Sequence, residues 1–108
     1  MKLAMPYKQG QLIDWDEADL FVLYSIENNQ VNARELHQTT AQGEQLVEEL
    51  YRLQVNRVMV LKLSDDLKFD LDYFKIEAIT GLSGETDELI ERFLEGAFEH
   101  DEESSQTD

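Results

Sequence analysis

The sequence predicts a mainly α-helical fold of the α+β class with one small β-hairpin, and three observations predict it. Leu46, Val47, Leu50 and Leu53 recur at spacings of three and four, which makes one stripe of a helix. Leu89, Ile90, Phe93, Leu94, Ala97 and Phe98 form a second such stripe, with Asp87, Glu88, Glu91, Glu95 and Glu99 elsewhere on the same helix. Between the two, the aliphatic run Val58 to Leu63, the turn chemistry of Ser64-Asp65-Asp66 and the alternation of Leu67, Phe69 and Leu71 read as a hairpin.

Residues 1 to 13 hold the only proline, Pro6, with Gly10 and two lysines, and read as an N-terminal arm with a short strand at Gln11-Leu12-Ile13. Asp14 with Glu17 three residues later is a capping-box-like start. The helix it opens carries Trp15, Ala18, Leu20, Phe21, Leu23, Tyr24 and Ile26 over a broad face and stops at Asn28-Asn29. Asn32 caps a short helix through Leu36, the pair Thr39-Thr40 breaks it, and Thr40 caps the Leu46 helix. After the hairpin, Asp72 caps a short helix from Tyr73 to Thr80 that Gly81 ends, and Ser83 or Thr86 caps the last one. The domain spans 14–99, and the polar, acidic tail 100–108 reads as disordered.

Ala33-Arg34-Glu35-Leu36, then Val47, Leu50, Leu53 and Val58, give a helix, turn, helix and wing strand in hydrophobic spacing. This pattern, about a third of the chain, resembles the winged-helix transcription-regulator family. Where that family has glycine before the wing strand this chain has Asn56, which also tolerates the left-handed conformation. The resemblance implies a winged-helix-like core complete by Leu71, plus two C-terminal helices. An acidic winged helix of this organisation is similar to the delta subunit of bacterial RNA polymerase and to accessory domains of replication-initiation and chromosome-condensation proteins.

With 108 residues the chain makes one domain with a real core. Its 24 acidic and 9 basic residues give a net charge of −15, which repels phosphate and favours a protein partner with a basic surface. The absence of cysteine excludes disulfides and thiolate metal sites. No apolar run approaches the roughly 18 residues of a membrane span, and the N-terminus lacks a signal-peptide core, so a cytoplasmic protein with no membrane partner is expected.

The search for chemistry predicts no catalytic residue, no cofactor and no metal. There is no glycine-rich phosphate loop and no nucleophile elbow, and no serine has an evident histidine partner. His37 reads as a partly exposed, hydrogen-bonded side chain, and His100 with Asp101, Glu102 and Glu103 as a solvated tail. Asp65, Asp66, Asp70 and Asp72 lack the spacing of a calcium loop and read as turn and cap residues.

On the presumed recognition helix the outward residues are Gln42, Glu44, Gln45, Glu48, Glu49 and Arg52, where a DNA reader would carry basic and amide groups. These six are the expected partner-binding residues. The function expected is a non-enzymatic, acidic winged-helix protein-interaction module or accessory factor in transcription, replication or chromosome handling. A dimeric DNA-binding regulator is the alternative, and an acidic DNA-mimicking decoy from a phage or mobile element a further one. The last apolar stripe must be covered by its own chain or by a second copy, and the flanking carboxylates favour the monomer over the homodimer.

Overall fold

A computed structural model describes residues 1–98. Glu99 and the expected disordered tail, 100–108, lie outside the described residues. The elements run β1 (Lys2–Lys8), β2 (Gln11–Leu12), a 3-10 turn (Trp15–Glu17), β3 (Leu20–Glu27), β4 (Gln30–Gln38), α1 (Gly43–Arg52), β5 (Arg57–Met59), α2 (Asp65–Tyr73), β6 (Glu77–Ile79) and α3 (Thr86–Leu94). The strands form one six-stranded mixed sheet in the order β4-β3-β1-β5-β6, with β2 paired to β1. β1 is antiparallel to β3 and parallel to β5, β3 is antiparallel to β4, and β5 is parallel to β6.

The mainly helical, winged-helix expectation is therefore wrong, and the largest error is at the N-terminus. The expected arm is the central strand, with Leu3, Ala4 and Met5 fully buried. Pro6 sits in it at the point where β5 ends and β2 takes over. Its ring nitrogen faces the β5 side of the strand, where the β5 pairing covers only Leu3 and Ala4 and the β2 pairing begins, so the missing donor falls at the end of a short edge ladder and not in the β1–β3 pairing. The Pro6 carbonyl accepts from the Ile13 amide at 3.2 Å.

The expected first helix is the 3-10 turn followed by β3. Phe21 and Leu23 enter one core cluster while Val22, Tyr24 and Ile26 enter the other, so the run is continuously apolar because the strand is buried on both faces. Asn28 and Asn29 do not stop a helix. Both have positive φ, 53° and 61°, in a two-residue hairpin loop whose backbone twist matches the strands. The expected short helix at Ala33 to Leu36 is the middle of β4.

The expected wing is a strand and a helix. Leu67 and Leu71, one helical turn apart, are buried, and Phe69 between them is exposed. Ser64 accepts from the Leu67 amide at 3.2 Å, with Asp65 and Asp66 in the first turn, so Ser-Asp-Asp is a helix cap and not a hairpin turn. The expected helix from Tyr73 is instead the end of α2, and Lys75 (φ 60°) turns the chain into β6. Helix α1 lies where its stripe places it, and α3 does so as far as Leu94, where it ends short of Ala97 and Phe98.

α1 and α2 cover one face of the sheet, where Ala4, Phe21, Leu23, Val58 and Val60 meet Leu46, Val47, Leu50, Leu67 and Leu71. Among the described residues α3 covers the other, where Leu3, Met5, Val22, Tyr24 and Met59 meet Leu89, Ile90 and Phe93. The last apolar stripe is thus buried against its own sheet and not against a helix. Among the described residues no helix is long and apolar enough to cross a membrane.

Candidate functional site

The topology fixes where the helices begin. β1, β4, β5 and β6 all point the same way, and α1, α2 and α3 follow β4, β5 and β6, so each helix starts at the C-terminal end of these strands. Each carries acid in its first turn: Glu44 in α1, Asp65 and Asp66 in α2, Asp87 and Glu88 in α3. That placement is favourable against the helix dipole. The segment leading into β3 reaches the same end and adds Asp14, Asp16, Glu17 and Asp19. Lys62 answers Asp14 at 3.6 Å and Arg34 answers Asp87 at 3.2 Å. At the opposite end of the sheet the charge is mixed: Lys2, Arg52, Arg57 and Lys75 stand with Glu27 and with Glu77, which pairs with Arg57 at 2.8 Å. The molecule is polarised along its strands.

A crevice of about 520 Å³ opens at the acidic end, between the 3-10 turn and the start of α1. Trp15 forms its floor, buried edge-on against Phe21 with ring centroids 5.2 Å apart. Asp14 sets the turn by accepting from the Asp16 amide at 3.4 Å. Asp16 and Asp19 line it from the turn before β3, and Thr39, Thr40, Ala41, Gln42 and Leu46 from the segment that leads into α1. The loop turns into α1 through Gly43, whose φ of 59° lies where a side chain would be strained. Gln42, at the N-cap, makes no side-chain cap to the first turn of α1.

Behind this segment lies a small polar chain. The Thr39 hydroxyl accepts from the Ala41 amide at 3.0 Å, and His37 lies 2.7 Å from Glu49. Hydrogen bonding by the Thr39 hydroxyl first, then by His37, lowers the Glu49 carboxyl below its ordinary range despite some desolvation.

The six expected partner-binding residues do not form one face. Gln42 lines the crevice and Glu44 and Gln45 stand exposed beside it. Glu48 pairs with Arg52 one turn on, and Glu49 turns back to His37. The sequence reading missed Asp16, Asp19, Thr39 and Trp15. Asp14, Asp16 and Asp19 just before a strand were the available signal, hidden once that stretch was assigned to a helix. Among the described residues no three or more His, Asp or Glu are grouped to hold a metal ion. Asp65 and Asp66 begin α2 while Asp70 and Asp72 sit near its end. His100 to Glu103 lie outside the described residues.

No family model matches the sequence, and no curated protein matches it. Solved structures do. The crystal structure of a protein designated PH0822 superposes with a TM-score of 0.83, at 19% identity over 89% of this chain and 92% of that one. A crystal structure from Methanocaldococcus jannaschii, of a protein provisionally named a dinitrogenase, gives 0.72 at 20% identity over 89% of each chain. A solution structure from Thermotoga, of a protein provisionally named NifB and placed in the DUF35 family, gives 0.71 at 19% identity over 88% of each. At these identities the likeness shows the fold alone. It removes the winged-helix resemblance, and with it the expected module in transcription, replication or chromosome handling, the DNA-binding regulator and the DNA-mimicking decoy.

Proposed function

We propose that this chain is a non-enzymatic binding module of the cytoplasm that takes a basic segment of a partner protein at the C-terminal end of its parallel strands. The observation that carries this reading is the crevice lined by both carboxylates and apolar side chains, at the end of the sheet where the first-turn acids of all three helices gather. Ligands of open α/β sheets bind outside the carboxyl ends of the strands. A lysine or arginine side chain suits this crevice, its stem against Trp15, Ala18 and Leu46 and its cation against Asp16 and Asp19. The surrounding first-turn carboxylates raise the local concentration of such a segment and repel phosphate, so duplex nucleic acid is not the ligand.

The names of the similar proteins supply no reaction for this chain. A metal-dependent reading of them finds no donor set: the chain has no cysteine, and the described carboxylates and His37 are not grouped for one.

The test is an amide chemical-shift titration with a lysine- and arginine-rich decapeptide. Shifts should concentrate in residues 14–19 and 39–46, weaken as salt rises from about 50 to 300 mM, and vanish in Asp16→Lys/Asp19→Lys. An Asp65→Lys/Asp66→Lys control should retain most of the binding. Shifts spread evenly over all acidic surfaces, or equal losses in the two variants, would overturn the reading.

A further inference from the structure

The sheet has two unequal edges. β6 ends it with three residues, whereas β4 ends it with nine, nearly all exposed. A long open strand edge presents unpaired N–H and C=O groups and is a template for another strand. We propose that the occupant of this edge is a second copy of the chain, added antiparallel through β4 about a two-fold axis at Leu36.

The register follows from the hydrogen-bond parity. The Thr39 amide donates to the Asp19 carbonyl at 2.9 Å, and the pairing continues as Phe21 with His37 and Leu23 with Glu35. In an antiparallel ladder hydrogen-bonded pairs alternate, so Ala33, Glu35 and His37 direct their backbone groups to β3 while Arg34, Leu36 and Gln38 direct theirs outward. A two-fold pairing must place one residue opposite its own copy. Centring it on Arg34 opposes two guanidinium groups and runs into the irregularity of the β3–β4 ladder opposite Ser25 and Ile26. Centring it on Glu35 opposes two carboxylates. Like charges directly opposite are destabilising.

Centring it on Leu36 does neither. Leu36, half exposed in the single chain, meets its copy, Arg34 meets Gln38, and Glu35 meets His37 twice over. Each outward pair exchanges both backbone hydrogen bonds. On that face Lys2 stands 3.9 Å from Glu35 and His37 2.7 Å from Glu49, so the added carboxylates meet cationic or hydrogen-bonding partners. The charge polarity helps as well. The outer run Ala33 to Gln38 carries one Arg and one Glu in a chain of net charge −15, so the edge avoids the strongest acidic repulsion. The cis burial of the α3 stripe, which argues for a monomer, does not bear on this edge.

The experiment is sedimentation velocity of the full chain, joined to cross-linking of single-cysteine variants, which the cysteine-free sequence makes clean. The wild type should sediment at twice 12.6 kDa at high protein concentration, more completely at 500 than at 50 mM salt as repulsion is screened. Leu36→Cys should oxidise to a disulfide dimer, since directly opposed residues have Cα atoms about 5.5 Å apart. Gln38→Cys should not, because its own copy lies four residues along, about 14 Å away. Leu36→Lys should be monomeric, with a melting temperature that does not depend on protein concentration and matches that of the wild type at low concentration. A wild type that is monomeric at both salts, equal cross-linking at positions 36 and 38, or a Leu36→Lys variant that still dimerises would each overturn the proposal.

Discussion

The two faces of the sheet are closed by different means. On one, α1 and α2 lay down an apolar layer in which Val47, Leu50, Val58 and Val60 have no exposed surface. On the other, α3 must do the work of two helices, and the corner it leaves is filled by a polar network. The Tyr24 hydroxyl donates to Asp87 at 2.6 Å and lies 3.2 Å from the hydroxyl of fully buried Thr86. Arg34 donates to Asp87 at 3.2 Å and to the Tyr7 hydroxyl at 3.3 Å, with its guanidinium over both tyrosine rings. Burial first, and then the bond to Asp87, raise Tyr24 above its ordinary range, so it stays a neutral donor. Hydrogen bonding to Tyr24 and Tyr7 holds Arg34 more firmly charged than usual. The lesson is that one helix closes a sheet face only when the hydroxyls beside it find partners, since a buried polar group left unpaired costs more than the bond contributes.

Truncation in each apolar layer should separate the faces most sharply. Leu50→Ala should cost about 2–5 kcal/mol and Phe93→Ala about 3–5 kcal/mol, both in urea unfolding. Their patterns should differ. Phe93, beneath Arg57 at 5.1 Å, anchors the one helix that covers its face among the described residues. Its loss should speed amide exchange in α3 well before β1, as a local opening. Leu50→Ala should speed exchange in α1, α2 and the central strands together. Uniform acceleration in both variants would show that the faces are one cooperative unit.

The network itself comes next. Tyr24→Phe keeps the ring in the core but removes the donor to Asp87, leaving the Thr86 hydroxyl buried with one partner fewer; about 1–3 kcal/mol should be lost. A change below about 0.5 kcal/mol would mean that Arg34 and water suffice at this corner.

The same contrast explains what the sequence could tell. α1 and α3 are each apolar on one stripe, and that periodicity survives any context. β1 and β3 lie between the two layers, so both faces are apolar and the period of two disappears; Leu20 to Tyr24 then look like a helix. Leu67, Phe69 and Leu71 misled in the opposite sense, because exposed Phe69 counterfeits a strand alternation across a helix whose buried pair is one turn apart. Two local signals in the sequence do agree with the structure: Asn28-Asn29 as a hairpin loop and Ser64-Asp65-Asp66 as a cap. The crevice was not legible at all, since Asp16 and Thr39 are brought together only by the pairing of β3 with β4.

The smallest effect expected is at the Thr39–Glu49 contact, and acid is the way to see it. Glu49 has a folded-state value below that of the unfolded chain, so its contribution is fully present above the ordinary carboxylate range and is lost as pH falls through the folded value. Thr39→Val removes the largest cause of that depression and also the acceptor for the Ala41 amide. The amide loss does not depend on pH, whereas the Glu49 part does. The stability gap between wild type and variant should therefore be widest at neutral pH and narrow, without closing, as pH falls below about 4. The narrowing should stay under about 1 kcal/mol, because Glu49 remains partly solvated. Thermal unfolding of both proteins from pH 7 to pH 3 measures it, and a gap that stays constant over that range would show that Thr39 acts through the loop backbone alone.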